Sequence, residues 1–172
     1  MLVNPLAKSN ELQVCVEKPI KRIYEESLLI SEVARGYIPT REELVQIQEM
    51  IESWDDAKTA DDYLVFHNFA DGMYTREMHV NKGEIIVGKI HKNEHIVNLL
   101  KGRLIVIDEY ANREIIAPCS FTSKPGVKRI GIILEDTVWQ DIHRTDETTI
   151  ERAENEIFMK DYNEIEVQSC QL

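Results

Sequence analysis

Two histidines four residues apart, His91 and His95, stand in the stretch "GKIHKNEHIVNLLKGRLIV", and imidazoles so placed can serve as metal ligands, as general bases or as buried hydrogen-bonding groups. On a helix the pair would share one face, with Gly102 as a C-cap. Helical zinc proteases, however, place a glutamate directly after the first histidine as general base. Here the order is H-K-N-E-H, which leaves Glu94 on the wrong side of that chemistry. The flanks "EIIVGKI" and "RLIVI" are rich in β-branched residues and favour strands. His91 therefore falls near one strand end and His95 at the start of the next. Alternation turns residues 89, 91 and, where pairing continues, 95 to a common face.

The elements that must position this pair follow from the periodicity. Pro19 at an N1 position and Gly36 at a C′ position bound an imperfect apolar stripe of Ile20, Ile23, Leu29, Ile30 and Val33, which predicts a helix. Thr40 and Glu43 have capping-box spacing ahead of Leu44, Ile47, Ile51 and Trp54, predicting a helix over 41–54. "DDAKTADD" reads as a solvated linker. From Tyr63 the period becomes two, with strands meeting at Asp71-Gly72 and further short strand-like runs broken at Asn81-Lys82-Gly83, Lys101-Gly102, Ala111-Asn112 and Pro125-Gly126. Many short antiparallel strands argue a sandwich or barrel. "TDETTIERAENEIFMKDY" returns to helix, with Thr148 and Glu151 at capping-box spacing. The expected organisation is a helical extension over 1–60, a barrel over 61–145, and a helix and tail over 146–172.

Composition narrows the partners. The chain has 172 residues, 43% hydrophobic and 30% charged, enough apolar surface for one compact core. Its 20 basic and 31 acidic residues give a net charge of -11, which repels nucleic acid as a general partner. Cys15, Cys119 and Cys170 form no metal or disulfide spacing and fit a reducing compartment. With no apolar leader in "MLVNPLAKSNELQVCVEKP" and no long apolar run elsewhere, the expectation is a cytoplasmic protein with no membrane partner.

The histidine stretch resembles the cupin family, whose first motif runs G-x5-H-x-H-x3,4-E-x6-G and whose second runs G-x5-P-x-G-x2-H-x3-N. Counting back from Gly102, the family glutamate position falls on His95, the second histidine on His91 and the first on Lys89, with Gly83 standing in for the opening glycine. "KPGVKRIGIIL" is similar to the second motif through Pro125 and Gly126, and puts Arg129 at the family's last histidine. Over about residues 63–145 the layout also resembles small cupin proteins encoded by tailed bacteriophages, through "MYTREMHV", "KGRL" and "LEDTVW". The resemblance implies a mainly β, cupin-like jelly-roll barrel with N-terminal helices and a C-terminal helix, and a homodimer, which for a phage protein would act in the host cytoplasm.

Cupin metal sites offer three histidines and a glutamate, and two of the four aligned positions here are cations. His91 and His95 remain as ligands for a divalent ion (zinc, iron, manganese or nickel), fewer than the three protein ligands of most catalytic sites. Glu135 or His143 would complete the set if their strands face inward. Otherwise Lys89 and Arg129 make a cationic pocket, with Glu135 as a further ligand-binding wall, suited to a carboxylate or phosphate. His91, His95 and His143 are also the candidate catalytic bases. Three functions stay open: a binder of a small polar or anionic molecule, a cupin enzyme (metal-dependent oxygenase or isomerase, or metal-free epimerase-like), and a phage structural or host-interaction protein. Against these, Lys89 and Arg129 read equally as solvated strand residues, His67 as packing on an N-terminal helix, His79 as an exposed strand residue, and Cys119 as a buried small hydrophobe.

Overall fold

The computed structural model describes residues 15–16 and 28–159, with side chains at 30 and 32–159. In chain order the elements are β1 (Cys15–Val16), α1 (Leu28–Ala34), α2 (Arg41–Glu52), β2 (Ala57–Lys58), β3 (Leu64–Ala70), β4 (Met73–Val80) and β5 (Ile85–Val87). There follow β6 (His95–Lys101), β7 (Arg103–Ile107), β8 (Asn112–Ile116), β9 (Cys119–Ser123), β10 (Ile130–Ile133), β11 (Thr137–Arg144) and α3 (Ile150–Ile157).

The strands form two antiparallel sheets, ordered β2-β1-β5-β10-β7-β8 and β3-β4-β11-β6-β9. Strands β4 to β11 divide between them as 4-11-6-9 and 5-10-7-8, the arrangement of an eight-stranded jelly roll. The expected mainly β jelly-roll barrel with helices at both ends is the fold observed. β3 widens one sheet, and β1 and β2 widen the other.

Two-sided burial explains the near-continuous apolar runs of the six-stranded sheet. Ile86, Leu104, Val106 and Ile133 face the interior with Met78, Val80 and Leu99. Alternating residues Ile85, Val87, Ile107 and Ile132 pack outward on Ile30, Val33, Leu44, Ile47 and Ile51 of α1 and α2. Each such side chain contributes about 1.5–3 kcal/mol on burial, so the two helices are part of the core of this sheet. α2 starts as predicted, with Thr40 and Glu43 forming a reciprocal capping box. Its N-terminal Arg41 also reaches Glu109 beyond β7, Nε donating to Oε2 at 2.9 Å.

Several elements differ from expectation. The helix predicted between Pro19 and Gly36 is described only over Leu28–Ala34; its first half lies outside the described residues. Cys15 and Val16 instead pair with β5 and β2. The expected linker carries β2 and a turn of 3-10 helix over Ala60–Asp62, because Lys58 bonds the buried Glu84 at 3.0 Å and Thr59 is tied to Asp62. α3 begins one residue later than the predicted box, with Thr149 as N-cap and no side-chain cap bond. It ends at Ile157 because Phe158 leaves the helix to bridge the backbone of His91.

Candidate functional site

α3 closes the end of the barrel where the histidines lie. Lys92 donates its backbone N–H to Ile157 O at 2.7 Å, and Met159 to Ile90 O at 2.9 Å, so the helix is stitched to the segment between β5 and β6. Ala153, Ile157 and Phe158 pack against Tyr74 and Phe69 from β4 and β3. Beneath this cap the two sheets line a partly open cavity of about 80 Å³, room for on the order of five waters or a ligand of a few heavy atoms.

Three imidazoles meet beside it, two of them, His91 and His95, among its lining residues. His91 comes from the β5–β6 segment, His95 from the first position of β6, and His143 from β11. The inward parity of β11 carries Trp139, Asp141 and His143, which register against Met78, Arg76 and Tyr74 of β4. The ring centroids lie 4.0 Å (His91–His95), 4.5 Å (His95–His143) and 5.0 Å (His91–His143) apart, with planes tilted by 11°, 28° and 23°. One ring nitrogen from each falls within 4.8 Å of the others.

Their surroundings keep the rings uncharged. Burial, then the neighbouring His95, His143, Arg129 and Arg76 charges, holds His91 well below the usual imidazole range. Burial, then His95 and Arg76, lowers His143 to about 3. Burial also lowers His95, against the opposing pull of Asp141 and of the Asn93 carbonyl. The hydrogen bond between His95 Nδ1 and Asn93 O, 3.1 Å long, requires the proton on Nδ1, because a carbonyl can only accept. In the neutral ring Nε2 is then a bare lone pair, and it faces Asp141 Oδ1 at 3.9 Å. Asp141 Oδ1 accepts from Trp139 Nε1 at 2.9 Å, while burial raises its carboxyl above the ordinary value. Among the described residues, the buried His91 Nδ1 and His143 Nε2 have no hydrogen-bond partner. Buried polar atoms are normally satisfied, so two orphan nitrogens beside an aimed lone pair fit a cation.

The donor set suits a divalent transition metal. Neutral imidazole is the form that ligates, and three protein ligands with open positions describe a catalytic or ligand-binding centre. Nitrogens about 2.1 Å from one ion can be at most about 4.2 Å apart, so a bound metal requires the widest pair to close by side-chain rotation.

Cations line the cavity next to the imidazoles. Arg76 and Lys89 reach Glu154 of α3, Nε to Oε1 at 3.6 Å and Nζ to Oε2 at 3.3 Å, all three side chains being nearly buried. The Lys89 ammonium also lies 4.7 Å from the centre of the Phe158 ring. Arg129, whose carbonyl accepts from Gly88 N–H beside Lys89, also lines the cavity, donating from Nη1 to Ser123 Oγ at 2.7 Å, with Nε 3.5 Å from Asp108 Oδ2.

Of the residues singled out in the sequence, His91, His95, His143, Lys89 and Arg129 are brought together. Glu135 is not: its carboxylate lies in the β10–β11 turn, 56% exposed and 3.2 Å from Arg103 Nε, so it neither ligates nor lines the cavity. His67 points inward from β3, 2.7 Å from Tyr74 Oη, and not, among the described residues, onto an N-terminal helix; burial lowers it to about 4. His79 is half-buried, 2.9 Å from Glu77 Oε1, and Cys119 is half-buried on β9. Sequence reasoning passed over Arg76, Asp141 and Glu154. Strand parity carries the signal for the first two, as Arg76 alternates with Tyr74 and Met78, and Asp141 with Trp139 and His143. Glu154 has no such signal, since helix periodicity does not say which barrel end the helix covers.

No family model and no curated protein matches the chain. Solved structures similar to it include a Cupin 2 conserved barrel domain protein from Salinispora arenicola, 15% identical, covering 47% of this chain and 74% of its own with a TM-score of 0.41. A double-stranded β-helix protein from Klebsiella pneumoniae is 10% identical, covering 54% of this chain and 84% of its own at a TM-score of 0.44. A cupin-2 protein from Shewanella frigidimarina is 10% identical, covering 58% and 92% respectively at 0.40. Among the described residues no helix is long and apolar enough to cross a membrane.

Proposed function

We propose that this chain is a cupin-type protein that holds a divalent transition metal on His91, His95 and His143 and binds a small anion in the adjoining cavity. The observation that carries the reading is the convergence of three buried imidazoles with one ring nitrogen each within 4.8 Å, two of them offering orphan nitrogens. The metal would act as a Lewis acid toward an oxygen of the bound molecule.

This chain's own residues set the rest. Asn93 O fixes the His95 tautomer so that Nε2 is the donor atom. Trp139 holds Asp141 in place from its indole N–H, and the carboxylate lies where it can accept a proton or add negative charge beside the ligands. Arg76, Lys89 and Arg129 supply positive potential on the cavity walls, strong because surrounding apolar side chains keep the dielectric low. Phe158 and α3 close the barrel end against bulk water.

The test is elemental analysis of protein purified without tag or chelator, followed by melting curves of chelated protein with added zinc, nickel or manganese. A bound ion at a hundredfold excess over its dissociation constant stabilises the fold by about 2.7 kcal/mol. Expected are near-stoichiometric metal and a raised Tm, both lost in His91→Ala, His95→Ala and His143→Ala. Metal content and Tm shifts unchanged in all three variants would reject the site.

A further inference from the structure

Two of the cations that line the cavity take a carboxylate from an unexpected source. Arg76 lies on β4 and Lys89 follows β5, so both belong to the barrel; Glu154 belongs to α3, the element laid over its mouth. Asp141, which registers opposite Arg76 on β11 and feels its charge, also accepts from the Trp139 indole and faces His95.

Glu154 bridges its cations loosely. One oxygen is 3.6 Å from Arg76 and the other 3.3 Å from Lys89, whereas a well-seated charge-assisted hydrogen bond is about 2.7–2.9 Å. Both cations also line the cavity, which extends from them past Arg129 and His95. A carboxylate entering that space could draw closer to both than one tethered to a helix backbone.

We infer that Arg76 and Lys89 form a carboxylate-binding subsite, that Glu154 occupies it as an internal stand-in, and that a small organic monocarboxylate binds by taking its place. This rests on the proposed anion-binding function and deepens it. The limited cavity sets the size, a carboxylate carrying a few further heavy atoms. The same geometry makes α3 a closure: with Glu154 seated, the helix is held down by its ion pairs as well as by Phe158. When a ligand carboxylate replaces it, that electrostatic hold passes to the ligand and the Glu154 side chain turns out toward solvent.

Calorimetric titration with sodium acetate, sodium propionate and inorganic phosphate tests this on chelator-treated protein, so that the metal is not involved. Glu154→Gln keeps shape and helix while removing the competing charge, and should bind both carboxylates at least about tenfold more tightly than the wild type. Glu154→Asp, which retracts the charge by one methylene, should fall between the two and supplies the comparison if the glutamine variant does not fold. Adding Lys89→Met to Glu154→Gln should return affinity to the wild-type level or below. Carboxylate binding by the wild type that is unchanged in both Glu154 variants would overturn the inference and leave the anion-binding function standing. No binding of any probe to any variant would overturn both. Phosphate binding more tightly than either carboxylate would overturn the assignment of ligand class.

Discussion

Acid should destabilise the metal-free protein already near pH 5, and His143 alone should account for a readable share. The ring sits at about 3 in the folded chain against 6.5 when unfolded. Below 6.5 the unfolded state therefore binds a proton that the folded state refuses, and stability falls as pH falls. At about pH 5 the difference amounts to roughly 1.5 units at 1.36 kcal/mol each, or about 2 kcal/mol. Any folded value of 4 or lower gives nearly the same loss there, because the folded ring is already neutral. His67, lowered to about 4, and His91 contribute with the same sign, so their losses add to that of His143 against a typical total stability of about 5–15 kcal/mol. Asp141 acts oppositely. Its folded carboxyl is raised above 3.8, so protonation favours the folded state, in the lower window between that value and its raised one. Urea unfolding of chelated wild type and His143→Gln at about pH 7.5 and pH 5 isolates the effect. The variant should lose about 2 kcal/mol less than the wild type across that interval. Equal losses, within about 0.5 kcal/mol, would show that His143 is not held neutral by its surroundings.

Two further outcomes test how the fold positions the site. Gly102→Ala places a Cβ 2.5 Å from Asp136 O at a φ of +92°, combining a backbone clash with left-handed strain, and should lower stability by about 3 kcal/mol in urea unfolding, with loss of soluble protein as the extreme case. Leu44→Ala, at a fully buried position of α2 against the outer face of the six-stranded sheet, should cost about 2–5 kcal/mol; a change below about 1 kcal/mol would mean that the helices are not part of the cooperative unit.

Legibility in the sequence tracked how local each determinant is. The capping box of Thr40 and Glu43 and the turns at Asp71-Gly72 and Lys101-Gly102 depend on neighbours a few residues apart, and they were readable directly. The meeting of His91 and His95 was expected from alternation, but His91 lies in the β5–β6 segment, bridged to Phe158, and not on a strand shared with His95. β1 was not readable, because two residues, Cys15 and Val16, become a strand only when β5 and β2 lie on either side of them. Glu135 failed for a related reason. It stands beside the inward-facing β10 and β11, but the turn between them carries it outward to Arg103. His143 was nameable as a possible third imidazole, yet its pairing with the other two depends on β11 lying between β4 and β6, which is a fact about the whole jelly roll. The lone pair on His95 Nε2 follows from Asn93 O, a contact two residues away that composition cannot show.

The charge pattern adds a constraint on what can reach the site. A chain of net charge -11 repels large polyanions from its surface, yet it buries Arg76, Lys89 and Arg129 around one small cavity. Long-range attraction is therefore weak, since at physiological salt surface fields fade within about 8 Å, and the interior cations act only on a molecule that has entered the barrel mouth. Selection falls on size before charge. Under the proposed function, a small anion would pass the acidic exterior at modest cost and then meet cations held by Glu154 and Asp108, whereas a nucleic acid or an anionic membrane would meet only the exterior. The net charge is thus compatible with the proposed small-anion site.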